Sequence, residues 1–540
     1  MAKDLFSFSA PSPFSLSALQ TPTSNEEYFD GEEAVVESGI PDVHSEIAMK
    51  EQRTDSAVGN WSQHSFSIQS IQEKMSVRKP IEPRPIAVTS FELLGHYWDV
   101  HRRQKQEKEP RKIEEETQVD RRRLSTVEKI RAAGEGFIQL QEQKDDDFSV
   151  VMHSYGQSFL GLSEEDMKDL ELTLILLSAA EKIGERQFDC ASIFLSHCKM
   201  LSSERGGPLQ RIILCFAEVL CEWIDKATGK YEPKGQKEPN TDRCLATISS
   251  WLPCHNQLPL IQIAQFASVQ ALVDSTATAR RIHVIDLALR TGVHVIVLMQ
   301  ALLERKTKAV EVLKVTAVTT VDKEEVEESG RRLASAAKTM GLNFSFEVIF
   351  LDNIEDVDDD LFQIEDGEAV VIYASMVLKK MISQQKSLEK LMNILRNLHP
   401  SVMVVTEIEA NHNSPSFVSR FIEALFFYSA SFDCLETCMA EDAENIRVTE
   451  QYLRCQVKNI LSAEGDERTM RDVKIVVWRA FFRRYKMVEI GFSKSSLYQA
   501  RLVAQRFPCS SFCTIEPNKK CLILGWKGTP LLSLSAWKFR

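Results

Sequence analysis

The sequence predicts an α/β protein: a mostly parallel sheet covered by helices on both faces, preceded by an all-helical cap and a long amino-terminal region. Three observations carry this. From Ile282 onward, short apolar runs of strand length alternate with helical patterns, and that alternation belongs to parallel βαβ units. Between Ser163 and about Asp274 the apolar period is helical. From Met1 to about Asp147 the chain is rich in Ser, Pro, Glu and Gln with apolar residues scattered singly, so little buried surface is available to offset the entropy of ordering. The expected divisions are 1–150, mostly disordered; 163–275, an all-helical cap; and 281–540, the sheet-containing core.

The bulk properties narrow the function. With 44% hydrophobic residues in 540 the chain can bury a large core. A formal net charge of -12 opposes indiscriminate binding to nucleic acid or anionic membranes, although a local basic patch is compatible with it. Apolar runs are interrupted well short of the roughly 20 residues a membrane span requires, so no membrane role is expected. The 12 cysteines are irregularly spaced, which reads as reduced thiols of an intracellular protein. Cys434/Cys438 and Cys509/Cys513 share CxxxC spacing without a partnered His or CxxC, and a structural zinc needs about four converging ligands; no metal is expected.

In the amino-terminal region, Phe6-Ser7-Phe8, Phe14 and the segment from Phe91 to Trp98 are apolar islands suited to folding onto a partner. The clusters His101 to Lys105 with Arg111-Lys112, and Arg121 to Arg123, read either as a nuclear import signal or as a charged helix. Folding is expected to begin at Ser163, a helix cap followed by Glu164, Glu165 and Asp166. Leu170, Leu174 and Leu177 share a face, as do Ile212, Phe216, Val219, Leu220 and Trp223. Exposed parts of the segments 170–181 and 209–223 are expected to offer apolar surface to a helical partner.

The core opens at Arg281 to Gly292, which reads as strand, bend and helix start. Asp286 ends this strand, where doubly wound sheets place ligands. Strands are expected at 312–318, 344–350, 369–374 and 402–407, with helices at 324–340, 379–398 and 416–428. The short apolar segments 473–482, 487–490, 512–515, 522–526 and 531–537 suggest antiparallel additions at one edge of the sheet.

Ile282-His283-Val284-Ile285-Asp286 resembles the VHIID motif of the plant GRAS family, and Ser535-Ala536-Trp537 matches the SAW motif of its last segment. Between them, Glu407-Ile408-Glu409-Ala410-Asn411-His412-Asn413, then Arg420 to Leu425 and Tyr428 to Asp433, resemble the family's E-x-E-A-N-H-N, R-F-x-E-A-L and Y-Y-S-A-x-F-D series. Trp478-Arg479 and Leu524-Gly525-Trp526 extend the match. The resemblance implies a nuclear transcriptional regulator with a methyltransferase-like Rossmann core and a helical cap. It also implies partners: other GRAS proteins, as homo- or heterodimers, and DNA-binding transcription factors. The DELLA motif is absent, Arg454-Cys455 stands where the family has Arg-Glu, and the nearest approach to Leu-x-x-Leu-Leu is Leu388 to Met392; these mark a divergent member.

Enzymatic chemistry finds little material. A methyltransferase needs a glycine-rich turn after the first strand and an acid after the second, and the chain offers Asp286, Gly292 and Asp322 with bulky residues between. No cofactor is expected. His283 reads as a core or domain-contact histidine; Glu407, Glu409, Asn411 and His412 read as a ligand or partner site or, with Asn413-Ser414-Pro415, as a helix-entry loop. Arg479, Arg483, Arg484 and Lys486 form the densest basic patch of the folded part. The reading is therefore a nuclear, non-enzymatic interaction scaffold; the alternatives are direct contact with DNA through Arg483, Arg484 and Lys486, and residual S-adenosylmethionine-dependent methyl transfer.

Overall fold

The computed structural model describes residues 124–143, 162–230, 254–287, 289–305, 309–320, 323–351 and 356–540. The apolar islands, the basic clusters before residue 124 and Asp322 lie outside them.

The helical part comprises α1 (Thr126–Gln143), α2 (Glu164–Gly184), α3 (Phe188–Leu201), α4 (Pro208–Ala227) and α5 (Pro259–Ser275). As expected, Ser163 caps α2 by accepting the Asp166 N–H at 3.0 Å. Helix α1 departs from the expectation of a mostly disordered region 1–150. Its Val127, Ile130, Ala133 and Phe137 are buried in the main core, spaced so that one helical stripe faces inward. Lys129 bridges Asp166 and Asp169 of α2 at 2.8 and 2.6 Å. The folded part therefore begins well before Ser163; the sequence disguises this because α1 carries many charged residues around a narrow apolar stripe.

The α/β part runs β1 (Arg281–Asp286), α6 (Val293–Leu303), β2 (Val312–Thr319), α7 (Lys323–Met340), β3 (Phe344–Phe350), β4 (Glu368–Ser375), α8 (Gln385–Asn397), β5 (Val402–Ile408), α9 (Phe417–Cys438), α10 (Ala443–Ser462), α11 (Ile475–Arg483), β6 (Met487–Ile490), α12 (Lys494–Gln505), β7 (Cys513–Asn518), β8 (Cys521–Trp526) and β9 (Thr529–Phe539). The strands lie in the order β3-β2-β1-β4-β5-β9-β8-β7, with β6 pairing β9. β1 to β5 are parallel, while β9 runs antiparallel to β5, β6 and β8. The antiparallel edge is as expected except at 473–482, where Ile475 to Arg483 form helix α11. An apolar run of that length is ambiguous, and here Ile475, Val477, Trp478, Phe481 and Phe482 bury a helical face.

Alternation along each strand sorts side chains to two faces. On β5, Val402 and Val404 join the core shared with the helical part. Met403 and Val405 join a second core with Trp478, Phe481, Phe482 and Trp537. The helical cap and one face of the sheet thus share a single apolar core. Leu388, Leu391 and Met392 of the Leu-x-x-Leu-Leu approximation point into the second core and present no surface motif.

Candidate functional site

The chain order reverses between β1 and β4, and the crevice outside their carboxyl ends is where this fold class binds nucleotides. Asp286 stands there opposite Tyr373 of β4. Gly292 has φ 70, the left-handed conformation that starts α6, and a Cβ there would meet Leu333 at 3.0 Å. His294, in the first turn of α6, lies across the crevice: its Nε2 is 2.6 Å from Asp286 Oδ2, and its ring stacks on Tyr373 with centroids 4.4 Å apart. Asp286 is completely buried by this arrangement, and Leu287 and Leu289 are buried beside it. The residues present do not fit a nucleotide cofactor, because the carboxylate that would face it is engaged by His294, whose ring stacks on Tyr373. Sequence reasoning missed His294 and Tyr373; the eight-residue spacing from Asp286 to His294 was the available signal.

His283 is fully buried in β1, with Nε2 2.8 Å from Thr316 Oγ1 and Nδ1 3.2 Å from Glu368. Burial, reinforced by Lys314, holds the imidazole down at about 4. A neutral histidine in a strand interior is a packing residue, and Val284 and Ile285 bury opposite faces of the same strand.

The densest polar constellation lies at the carboxyl end of β5. Glu407 Oε1 accepts the N–H groups of Leu378 and Lys379 at 2.8 and 3.4 Å. Glu409 accepts the Ile475 N–H at 2.8 Å, which caps α11. Asp472 joins the buried Lys379, 3.1 Å from its Nζ, to the buried His412, whose Nδ1 is 2.7 Å away. Asn413 donates its backbone N–H to the Asp472 carbonyl at 3.2 Å, and its side chain accepts from Arg471 at 3.1 Å. The Asn411 N–H points to Glu423, which holds Lys474 at 2.7 Å. Arg420 donates to the Ser414 and Pro415 carbonyls at 3.0 Å. The motif residues are thus brought together as a buried clasp between β5 and the segment 464–475.

Electrostatics in the clasp follow burial. Burial raises Glu407 to about 8, against the pull of Lys379, and raises Glu409 to about 7. Burial also opposes the charge on Asp472, but Lys379 and His412 outweigh it and hold that carboxyl at about 2. His412 Nε2 has no hydrogen-bond partner, and its ring packs against Phe427 and Tyr428. This His–Asp pair therefore addresses no nucleophile among the described residues.

A pH signature follows. A carboxyl raised in the fold keeps a proton that the unfolded chain releases above about 4.3, so its contribution to stability falls as pH rises from there through the folded value. Glu407→Gln is expected to flatten the loss of stability between about pH 5 and pH 8, read as the slope of melting midpoint against pH. An unchanged slope would show that Glu407 does not titrate in that window.

The remaining motif residues are architectural. Trp478, Trp526 and Trp537 are buried. Trp526 donates its indole N–H to Asp433 at 2.7 Å, and Trp537 donates to Ser535 at 2.9 Å and packs on Phe482 at 4.7 Å. Ala536 sits opposite Val404 in the β5–β9 ladder. Arg479 grips Glu489 through two nitrogens and the Asn518 side chain at 2.9 Å, which ties α11 to β6 and the β7–β8 turn. Of the basic trio, Arg483 and Lys486 line a cleft, whereas Arg484 lies 3.8 Å from Glu389 of α8.

The two CxxxC pairs do converge. Cys434 and Cys438 sulfurs lie 3.9 Å apart, and Cys438 and Cys509 lie 3.3 Å apart. Burial pushes Cys509 and Cys513 up to about 12. Among the described residues no His, Cys, Asp and Glu group is arranged to hold a metal ion, and no helix is long and apolar enough to cross a membrane.

A family model described as the GRAS domain family matches residues 172–538. The chain belongs to the GRAS domain family. The DELLA protein RGL1 of Arabidopsis thaliana is 30% identical over 374 residues, which span 68% of this chain and 70% of that protein. DELLA protein 1 of Medicago truncatula is 28% identical over 385 residues, 68% of this chain and 63% of that protein. The chain is a divergent GRAS member, as the motif departures indicate. Its fold is similar to the crystal structure of SCL7 in Oryza sativa, with a TM-score of 0.60 at 22% identity over 68% of this chain and 99% of that one. Helix α1 lies before the residues the GRAS family model matches.

Proposed function

We propose that this GRAS protein is a nuclear regulator of plant transcription that acts as an interaction scaffold, binding DNA-binding factors and other GRAS proteins rather than catalysing a reaction. The observation that carries the reading is the filled crevice at Asp286, His294 and Tyr373, where this fold class would otherwise bind a cofactor. The polar motifs downstream are buried in a clasp that supports the fold, which leaves function to the surface.

The interacting surface differs from the one the sequence suggests. The apolar residues of 170–181 and 209–223 are largely buried in the core. Instead α3 exposes Ile193, Met200 and Leu201, at 60%, 75% and 57% of their surface. Spacings of seven and eight residues put these on one face of the helix, a form of apolar ridge that helical partners recognise.

Changing Ile193, Met200 and Leu201 together to Asp is expected to abolish co-purification of transcription factors from plant nuclei while the melting midpoint stays within a degree or two of wild type, since exposed positions contribute little to stability. Retention of the same nuclear partners by the folded variant would refute this surface. Direct reading of DNA by Arg483, Arg484 and Lys486 has less support, because Arg484 faces Glu389 and the neighbouring Arg479 is held by Glu489.

A further inference from the structure

A cleft of about 610 Å³ lies between the end of α11, β6, the β7–β8 turn and the end of β9. Its walls carry Arg479, Arg483, Lys486, Lys519, Lys520 and Arg540 around one carboxylate, Glu489, with Met487, Val488 and Trp537 contributing apolar floor. Arg479 already neutralises Glu489 through two nitrogens. Arg483, Lys486 and Arg540 add further cations to the lining, and Lys520 donates its Nζ to the Glu489 carbonyl at 3.2 Å, in a protein whose net charge is -12.

Two of these lysines occupy backbone positions that disfavour them. Lys486 has φ 57 and Lys519 φ 58, two of six non-glycine residues in the left-handed region among the described residues. Lys486 follows the last turn of α11, donating its N–H to Arg483, where glycine is the usual terminator. Lys519 sits with Lys520 in the two-residue turn that joins β7 to β8, where Asn or Gly is the usual occupant. Left-handed backbone at a non-glycine residue is strain, and such strain gathers at ligand clamps.

We infer that this cleft binds a small anion bearing several clustered phosphate groups. Its volume falls in the range of small-ligand pockets, whereas duplex DNA offers phosphates along an extended rod that calls for a long basic stripe. The proposal is independent of the scaffold reading and of the α3 surface.

The test uses the full chain and the variant Arg483→Ser/Lys486→Ser/Lys520→Ser, whose positions are exposed. Calorimetry with inositol hexakisphosphate is expected to show one saturable site, weakened at least tenfold in the variant. Vesicles containing a phosphatidylinositol bisphosphate, measured in parallel, separate a lipid headgroup from a free phosphate as the source. Lys486→Gly should raise the melting midpoint while weakening binding, a trade-off that a merely solvated lysine would not show. Absence of binding to both probes, equal binding by wild type and triple variant, or tighter binding to a 20-base-pair duplex that displaces the soluble probe would each overturn the proposal.

Discussion

Asp472→Ala is expected to destabilise the GRAS domain by about 3–5 kcal/mol, the usual cost of removing one member of a buried ion pair. The carboxylate is nearly inaccessible and serves Lys379 and His412 together. Its loss leaves a buried ammonium beside Glu407 with no full counter-charge, and a buried imidazole without its acceptor. Adding Lys379→Met removes the stranded charge, so the double variant should recover a large part of the loss. Chemical denaturation of the four members of this cycle measures the coupling. Additive losses in the double variant would mean that Lys379 and Asp472 do not act as a pair. The pH profile gives a second reading: because Asp472 is held at about 2 in the fold, its stabilisation is complete above about pH 4 and disappears as pH falls through the folded value.

The second large effect concerns where the folded domain starts. A chain beginning at residue 124 is expected to melt like the full protein, whereas one beginning at residue 150 should be severely destabilised or insoluble. The shorter chain lacks Val127, Ile130 and Phe137, each worth about 1.5–3 kcal/mol when buried. It also strips Asp166 and Asp169 of Lys129, and leaves the Lys527 carbonyl and Thr529 hydroxyl without Arg131. Thermal melts of the two truncations distinguish the cases, and equal stability would show α1 to be dispensable. The result matters for functional work: deleting 1–147 to remove the amino-terminal region would also unfold the domain, so any loss of partners would say nothing about that region.

How much was legible in the sequence varies with the range of the interaction that decides each feature. The parallel strands from Arg281 to Ile408 were readable because β1, β2, β4 and β5 are apolar runs rich in Val and Ile and β3 alternates from Phe344 to Val348, and that signal is local. The Ser163 cap and the Ser535-Ala536-Trp537 ending were equally plain. The run Ile475 to Arg483 was not, since a short apolar segment reads equally as strand or helix until a partner surface chooses; here the Glu409 carboxylate caps its first N–H and the second core takes its aromatic face. Helix α1 was missed for the same reason, because its stripe becomes apolar burial only against α2 and α9.

Among the polar residues, sequence alone determined which types stood at the strand ends and in which order. Their roles depended on partners far along the chain. Glu407 and His412 read either as a ligand or partner site or as part of a helix-entry loop; only the structure brings in Asp472, 60 residues beyond His412, as the partner of His412. Asp286 read as a cofactor candidate with no cofactor expected; what the sequence did not show is the ring of His294 laid across it. Cations 57 residues apart, Arg483 and Arg540, met in one cleft because β9 returns beside β6. Local propensity and apolar period determine elements, since they act within a few residues; burial, pairing and cavity are properties of the packed sheet, and only the tertiary structure decided them.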